Sequence, residues 1–524
     1  MTVDTERQPG PPDDAQQSAG EHRSVLIIIG ALMLGMMLSS LDQTIVATAL
    51  PTIAGDLHGL NHLSWVVTAY LLTLCVSTPL WGKLGDLYGR KKLYQGAIVI
   101  FLVGSALSGL SHSMVQLIVC RAVQGVGAGG LMVGSQSIVG DIVSPRQRGR
   151  YMGYFGAVFG LTSVAGPLLG GLFTEHLSWR WVFYINLPIG VIALVAVASV
   201  LHLPVRRTDH AVDYAGTTLL GVAVTAIVLL TTWGGVTYAW ASAPIVILAV
   251  AALALVVAFV LVERVAAEPL MPLSLFRNPV FTVASSVGFV VGFVMFGAII
   301  YIPLYQQTVH GATPTSSGLQ LLPLVLGMLT TFIPSGRLVS RFGRYKMFPV
   351  CGTAVMSVGL FLLSLMQPST PLVISALYMV VVGLGIGMVM QILVVAVQNA
   401  VPYQQLGTAT SAATFFRTIG GAFGVALFGS IFDTRLFHEL PRYVPAGALK
   451  AFSGNTISSN PAQLDALPPA IHAGVVQAFS HSLDTVFLVA VPFGVASFVL
   501  SLFLREVPLR DKAAIVPAEA SIPT

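Results

Sequence analysis

Gly82-Lys83-Leu84-Gly85-Asp86-Leu87-Tyr88-Gly89-Arg90-Lys91-Lys92 is a basic stretch wedged between two long apolar ones, 64–81 and 93–110. Its glycines permit a tight turn. Its basic residues hold that turn at the edge of whatever apolar body buries its flanks, and Asp86 can pair with a cation or with the positive end of a helix. The stretch returns as Gly336-Arg337-Leu338 and Gly343-Arg344, 254 residues further on. A second register, 258 residues, pairs Gly125, Gly127 and Gly129 with Gly383, Gly385 and Gly387, Gly149 with Gly407, Gly166 with Gly424, and Gly171 with Gly429. One such pair means little in a glycine-rich chain; several in the same order mean a duplicated half.

Outward from this turn the chain is overwhelmingly apolar. Of 524 residues 55% are hydrophobic and 9% are Asp, Glu, Lys or Arg, against roughly 25% charged in soluble domains. A soluble body of this size could not be covered, and the apolar content excludes disorder. Runs of about 20 apolar residues, enough to cross a bilayer, fall at 25–48, 64–81, 93–110, 114–139, 151–173, 181–203, 214–233, 242–262, 280–303, 316–338, 347–366, 372–398, 408–432 and 484–504. Open sheets fail in lipid because their edges find no partner, and the alternating segments of a membrane barrel are absent. The fold class is therefore an all-α integral membrane protein of fourteen transmembrane helices. The repeat divides it into two pseudo-symmetric six-helix bundles, with spans seven and eight inserted between them.

Orientation follows from lysine and arginine in the short loops. With the amino terminus inside, 20 of the 26 basic residues face the cytoplasm, four face outward, and Arg121 and Arg417 lie within spans. Both termini are thus expected in the cytoplasm of a multi-pass cell-membrane protein. The net charge of +5 is this topology signal, with no basic patch dense enough for nucleic acid. The expected parts are a disordered tail (1–23), an N-terminal bundle (24–205), two inserted helices (206–265), a C-terminal bundle (266–505) with an extracellular loop at 433–483, and a tail (506–524). The polar 1–23 segment and the long first apolar run do not read as a cleaved signal. Cys75, Cys120 and Cys351 fall inside spans without zinc spacing and read as buried free thiols.

The turn at Gly82–Lys92 resembles the signature loop of the major facilitator superfamily, and fourteen spans narrow the resemblance to the fourteen-span drug:proton antiporters. Leu41-Asp42-Gln43-Thr44 through Pro51 is similar to their first-span motif, with Ala47 where many members have Asn. Arg121-Ala122-Val123-Gln124-Gly125 is similar to their fourth-span motif. Gly160 and Gly166-Pro167-Leu168-Leu169-Gly170-Gly171 resemble the fifth-span antiporter motif, and Trp179-Arg180-Trp181 through Asn186-Leu187-Pro188 also matches. The resemblance covers about residues 25–505. It implies two parallel halves around a central cavity and export of small lipophilic or amphiphilic, drug-like compounds against protons. It also implies a monomer and no cofactor.

Asp42 is the one carboxylate placed well inside a span, where a charge costs roughly 2.5–3.5 kcal/mol. Burial favours a neutral carboxyl and a nearby guanidinium the charged one, so a proton acceptor is one reading; an interfacial helix-cap acid is the other. Arginine does not release its proton, so Arg121 and Arg417 must pair, snorkel or tune an acid. The resemblance assigns Arg121 to proton coupling with Gln124 as its hydrogen-bonding neighbour. Gating is expected from Gly82, Asp86, Gly89 and Arg90, and from a kink at Gly166-Pro167 at the interface between the halves, with plain helix packing as the alternative. Gln391 and Arg417 are candidate cargo contacts, whereas Gln306, Gln307, Gln398 and Asn399 read as solvated or capping.

No metal site is expected, since His58 and His62 lack a third ligand. The segment 433–483, with Pro461, Pro468 and Pro469, reads as a flexible loop or short surface helix. No phosphate loop or hydrolase motif occurs, so neither an ATP-driven pump nor an enzyme is indicated. Two other functions stay open: a lipid-handling or sensory protein of the same fold without proton coupling, and uptake of a small polar solute. The charge count makes a direct prediction. A reporter active only outside the cell works when inserted in 433–483 and fails in 141–150; the reverse pattern would overturn the orientation.

Overall fold

The computed structural model describes residues 14–57, 63–201, 213–234, 238–445 and 468–509. His58 and His62 lie outside the described residues. The described chain is helical, with no strand beyond one isolated bridge between Gly234 and Tyr238. Among the described residues sixteen α-helices run in order: α1 (Asp14–Asp56), α2 (Leu63–Tyr88), α3 (Arg90–Gly109), α4 (Met114–Ile142), α5 (Pro145–His176), α6 (Trp181–Tyr184), α7 (Asn186–Val200), α8 (Tyr214–Trp233) and α9 (Ala243–Val265). A 3₁₀ turn at Leu273–Arg277 leads to α10 (Pro279–Val309), α11 (Pro314–Leu319), α12 (Leu322–Phe342), α13 (Met347–Leu363), α14 (Leu372–Ala400), α15 (Leu406–Tyr443) and α16 (Pro469–Leu502).

Thirteen spans among the described residues are long and apolar enough to cross a membrane, and α13 is a shorter apolar helix that completes fourteen. Span six is built from α6 and α7, span ten from α11 and α12. Local chemistry sets several boundaries. The Asn278 side chain caps α10 by accepting from the amides of Val280 and Phe281, and Asp213 accepts from Gly216 at the start of α8. Gly89, between α2 and α3, has φ 90°, and Gly343, after α12, has φ 69°. These are the same position in the two repeats, and only glycine adopts such a backbone without strain.

The repeat is physical as well as sequential. Gly125 lies against the Tyr70 carbonyl and Gly383 against that of Leu324; Gly127 packs on Phe101 and Gly385 on Met356. Small residues let helix backbones approach closely where hydrophobicity cannot drive association. The halves meet along two equivalent seams, α2 with α15 and α5 with α12. A Cβ on Gly82 would stand 2.7 Å from the Gly407 carbonyl oxygen, and one on Gly149 2.8 Å from that of Gly336. Of the inserted pair, α8 docks on α2 and α15, so the pair lies over one seam. The apolar window of α9 is 17% buried and that of α14 is 78%, which puts α9 in contact with lipid and α14 at the centre.

Several boundaries differ from expectation. Helix α1 begins at Asp14, inside the stretch read as a disordered tail. The 433–483 loop shrinks from both sides, because α15 continues to Tyr443 and α16 starts at Pro469; their ends project past the apolar runs and support each other, as where Gly474 packs on the Tyr443 backbone. Residues 506–509 begin the expected tail yet are docked: Glu506 Oε1 accepts from the Tyr345 amide at 2.6 Å, and Asn399 donates to the Val507 carbonyl at 3.2 Å. The cysteines are free, but only Cys75 is buried, while Cys351 is exposed on α13.

Candidate functional site

Asp42 lies about two-thirds of the way along α1, and its side chain is completely buried within the N-terminal bundle. Its Oδ2 meets Arg121 Nη1 of α4 at 2.5 Å. Its Oδ1 accepts from Gln124 Nε2 at 2.8 Å and from Asn186 Nδ2 of α7 at 3.1 Å. Arg121 Nη1 also donates to Gln124 Oε1 at 2.8 Å, one turn along the same helix. The guanidinium carbon stands 4.1 Å from the centroid of the Tyr70 ring, an added attraction for a desolvated cation. Asn186 further donates to Ser105 Oγ at 3.0 Å. Side chains of five helices, α1, α2, α3, α4 and α7, thus assemble around one ion pair, with Asp42, Gln124 and Asn186 at 0% exposure and Arg121 at 1%.

The three residues expected to act together are therefore in contact. Asp42 does not sit on an open cavity wall, because α3, α4 and α7 close over it. Asn186, Ser105 and Tyr70 carried no assigned role in the sequence. Asn186 could have been found as the amide in the otherwise apolar stretch Val182–Val200 apart from Tyr184 and Ser199.

The second assembly joins the two halves at the basic end of the molecule. Asp86 Oδ1 accepts from Arg90 Nη2 at 2.7 Å and from the Gly407 amide at 3.1 Å. Its Oδ2 accepts from the Thr408 amide at 2.8 Å and from Thr408 Oγ1 at 3.0 Å. The carboxylate of one half thus caps the first turn of α15 in the other, where free amides and the helix dipole favour a negative charge. Arg90 continues the chain to Asp141 Oδ2 at 3.1 Å and to the Ser137 carbonyl at 2.5 Å on α4.

In the second repeat Ser340 stands where Asp86 stands in the first. Its Oγ accepts from the Arg150 amide at 3.1 Å, near the start of α5, and its carbonyl accepts from Arg146 Nε at 3.1 Å. Gln398, expected to be solvated, is buried and donates across to the Gln136 carbonyl at 3.1 Å. Arg148 donates to the Gln398 carbonyl at 3.4 Å. At this end the halves are locked together. Gly82, Asp86, Gly89 and Arg90 all belong to the lock.

Gly166 is placed differently from expectation, while Pro167 does stand at the interface between the halves. Gly166 faces Thr44 and Ile45 of α1 in its own half, and Gly170 faces Thr48 and Ile45. Thr44 Oγ1 donates to the Thr162 carbonyl at 2.9 Å. The glycines serve α1–α5 packing because a side chain there would overlap α1; only Pro167 reaches the other half, against Gly318.

Gln391 is buried with neither amide atom bonded, and Arg417 is buried with Nη2 unpartnered. Buried polar atoms are rarely left so. Gln306 is also buried and meets His310 Nδ1 at 2.7 Å, while Gln307 donates to Ser317 at 2.8 Å. Asp42 is not the sole carboxylate within a span: Asp484, read as a boundary acid, lies in the middle of α16, with Oδ1 unpartnered. The early start of α16 moved it inward. No cluster that could hold a metal occurs among the described residues.

Two repeated helical bundles locked at one end, with an ion pair inside one of them, define a membrane transporter fold. The Major Facilitator Superfamily description matches residues 32–425, and the chain belongs to that family, whose members are transporters rather than enzymes. It is 45% identical to an uncharacterized MFS-type transporter of Mycobacterium tuberculosis over 485 residues, 93% of this chain and 70% of the other. It is 36% identical to the multidrug transporter protein MdtP of Bacillus subtilis, covering 94% and 96% of the two chains. The structure of the proton:xylose symporter XylE superposes with TM-score 0.62 at 14% identity, covering 93% and 97%, and shares the fold.

The lock predicts a kinetic phenotype. Asp86→Asn keeps the shape but weakens charge-assisted bonds, a loss of about 1–2 kcal/mol or about five- to thirtyfold in the closed-to-open equilibrium at this end. Transport turnover of the purified variant is expected to fall while expression and cargo affinity hold. Unchanged turnover would reduce the turn to a topology signal.

Proposed function

We propose that the protein is a proton-coupled antiporter that exports lipophilic or amphiphilic small molecules across the cell membrane by alternating access. Family membership supports transport, and the name of the similar Bacillus subtilis protein supports multidrug efflux. The observation that carries the coupling is the dry Asp42–Arg121 pair. The charge bias supports a cytoplasmic basic end, and with that orientation the locked state opens outward.

A proton delivered to Asp42 neutralises the carboxylate and leaves Arg121 charged, held by Gln124 and the Tyr70 ring. Removing one partner of a buried ion pair costs about 3–5 kcal/mol, so the bundle is driven to rearrange. A membrane potential supplies about 2.3 kcal/mol per charge for each 100 mV and each pH unit about 1.4 kcal/mol, which together reach that range. Two rigid connections carry the change to the lock. Helix α4 bears Arg121 and, 20 residues or about 30 Å further on, Asp141 beside Arg90. Helix α1 grips α5 through Thr44, and α5 meets α12 at Gly149. Gln391 and Arg417, with unpartnered polar atoms, are the proposed cargo contacts, and Gly166 and Pro167 hold the α1–α5 joint.

Asp42→Asn preserves size and hydrogen bonding without titrating. In proteoliposomes, uptake of cargo driven by an imposed pH gradient should be lost, with exchange at equal pH retained, on protein shown to be folded. Accumulation of cargo against its gradient by the variant would remove Asp42 from the coupling.

A further inference from the structure

A cavity of about 700 Å³ lies outside both six-helix bundles, walled by α8 and α9 on one side and by α10 and α15 on the other. Its surface is almost wholly hydrocarbon, with Phe259, Phe276, Phe289 and Phe416 among the walls. A half-open recess of this size is in the range of ligand sites. Its outer wall is one helix thick, since α9 is the least buried span.

Position narrows the occupant. The cavity starts at Phe276 and Leu500, at the basic end, and on α10 its wall runs from Thr282 to Val290, 8 residues further on. That is about 12 Å along a helix, and half of the hydrocarbon core is about 15 Å. The length therefore fits within one leaflet. Arg277 follows Phe276 directly, and Arg264 follows Val260 of the wall by one helical turn; both are exposed. The nearby acids are engaged: Glu263 accepts from the Leu270 and Met271 amides, and Glu268 pairs with Lys83 at 2.5 Å. Ser285, on the cavity wall, is 4% exposed and its hydroxyl has no partner. The site thus offers an apolar slot that fits within one leaflet, a buried hydrogen-bonding group within it, and free positive charge at its mouth.

We infer that the cavity holds one acyl chain of an anionic phospholipid, which wedges the inserted helix pair onto the C-terminal bundle. The headgroup phosphate meets Arg264 and Arg277, as basic residues at the membrane surface attract anionic lipid, and Ser285 donates to an ester carbonyl. This site is independent of the proton and cargo sites.

The test uses full-length protein in phosphatidylethanolamine vesicles doped with phosphatidylglycerol or phosphatidylcholine bearing a diazirine in the acyl chain. Illumination should label the peptides containing Phe276 and Phe289, more strongly with phosphatidylglycerol. Ser286→Phe, which fills the slot from a half-buried wall position, should abolish that labelling while sparing lipid-facing Leu253. Arg264→Gln with Arg277→Gln should erase the headgroup preference without touching the core. Absence of wall labelling in the unaltered protein, labelling undiminished by Ser286→Phe, or equal labelling by both headgroups would overturn the inference. So would displacement of the lipid by tetraphenylphosphonium, which would assign the slot to cargo.

Discussion

An arginine and an aspartate buried together in hydrocarbon constrain everything around them. The pair is tolerable only if its charges are bonded, and α1, α2, α3, α4 and α7 are held in place to do so: Gln124 bridges both partners, Asn186 of α7 fills the second carboxylate oxygen and leans on Ser105 of α3, and Tyr70 of α2 covers the guanidinium. Such a pair adds little net stability compared with an apolar substitute. What it offers is a bundle whose packing depends on the charge of one carboxyl group. In the proposed mechanism a proton on Asp42 alters the fit of all five of these helices, which few groups in a membrane interior can do.

The same backbone logic appears at the other assembly. Helices cross between halves at glycine pairs, Gly82 with Gly407 and Gly149 with Gly336, related by the internal repeat. Asp86 then secures one crossing by capping α15, and Ser340 the other by accepting from the Arg150 amide inside α5. The two contacts differ in strength. Asp86 brings a full charge to two amides and a hydroxyl, while Ser340 brings a neutral hydroxyl to one amide. The charged contact lies on the α2–α15 seam, and it is the seam over which α8 lies.

Much of this was legible in the sequence. Span number followed from apolar run length, and the duplication from glycines whose spacing survives because backbone approach leaves no room for a side chain. Asp42, Arg121 and Gln124 were legible because polar groups in a span need partners. What escaped depended on tertiary distance. Asn186 and Gln398 look like span-end amides until α7 meets α1 and α14 meets α4. Gly166 could not be assigned to the correct neighbour, since glycine spacing states that something comes close without saying which helix. Asp484 was misplaced because α16 extends past its most apolar stretch, and hydropathy marks the lipid-matched core rather than the helix end.

The central claim is that occupancy of the transporter by cargo and protonation of Asp42 exclude one another. It is tested most directly by proton release, followed with a pH-sensitive dye in weakly buffered detergent solution as cargo is added to purified protein. A release that saturates with cargo in the unaltered protein and is absent in Asp42→Asn, at similar cargo affinity, is the result expected if protonated Asp42 gives up its proton and re-forms the pair with Arg121 as cargo binds. The same release from the Asp42→Asn protein would contradict it and move the exchanged proton to another acid.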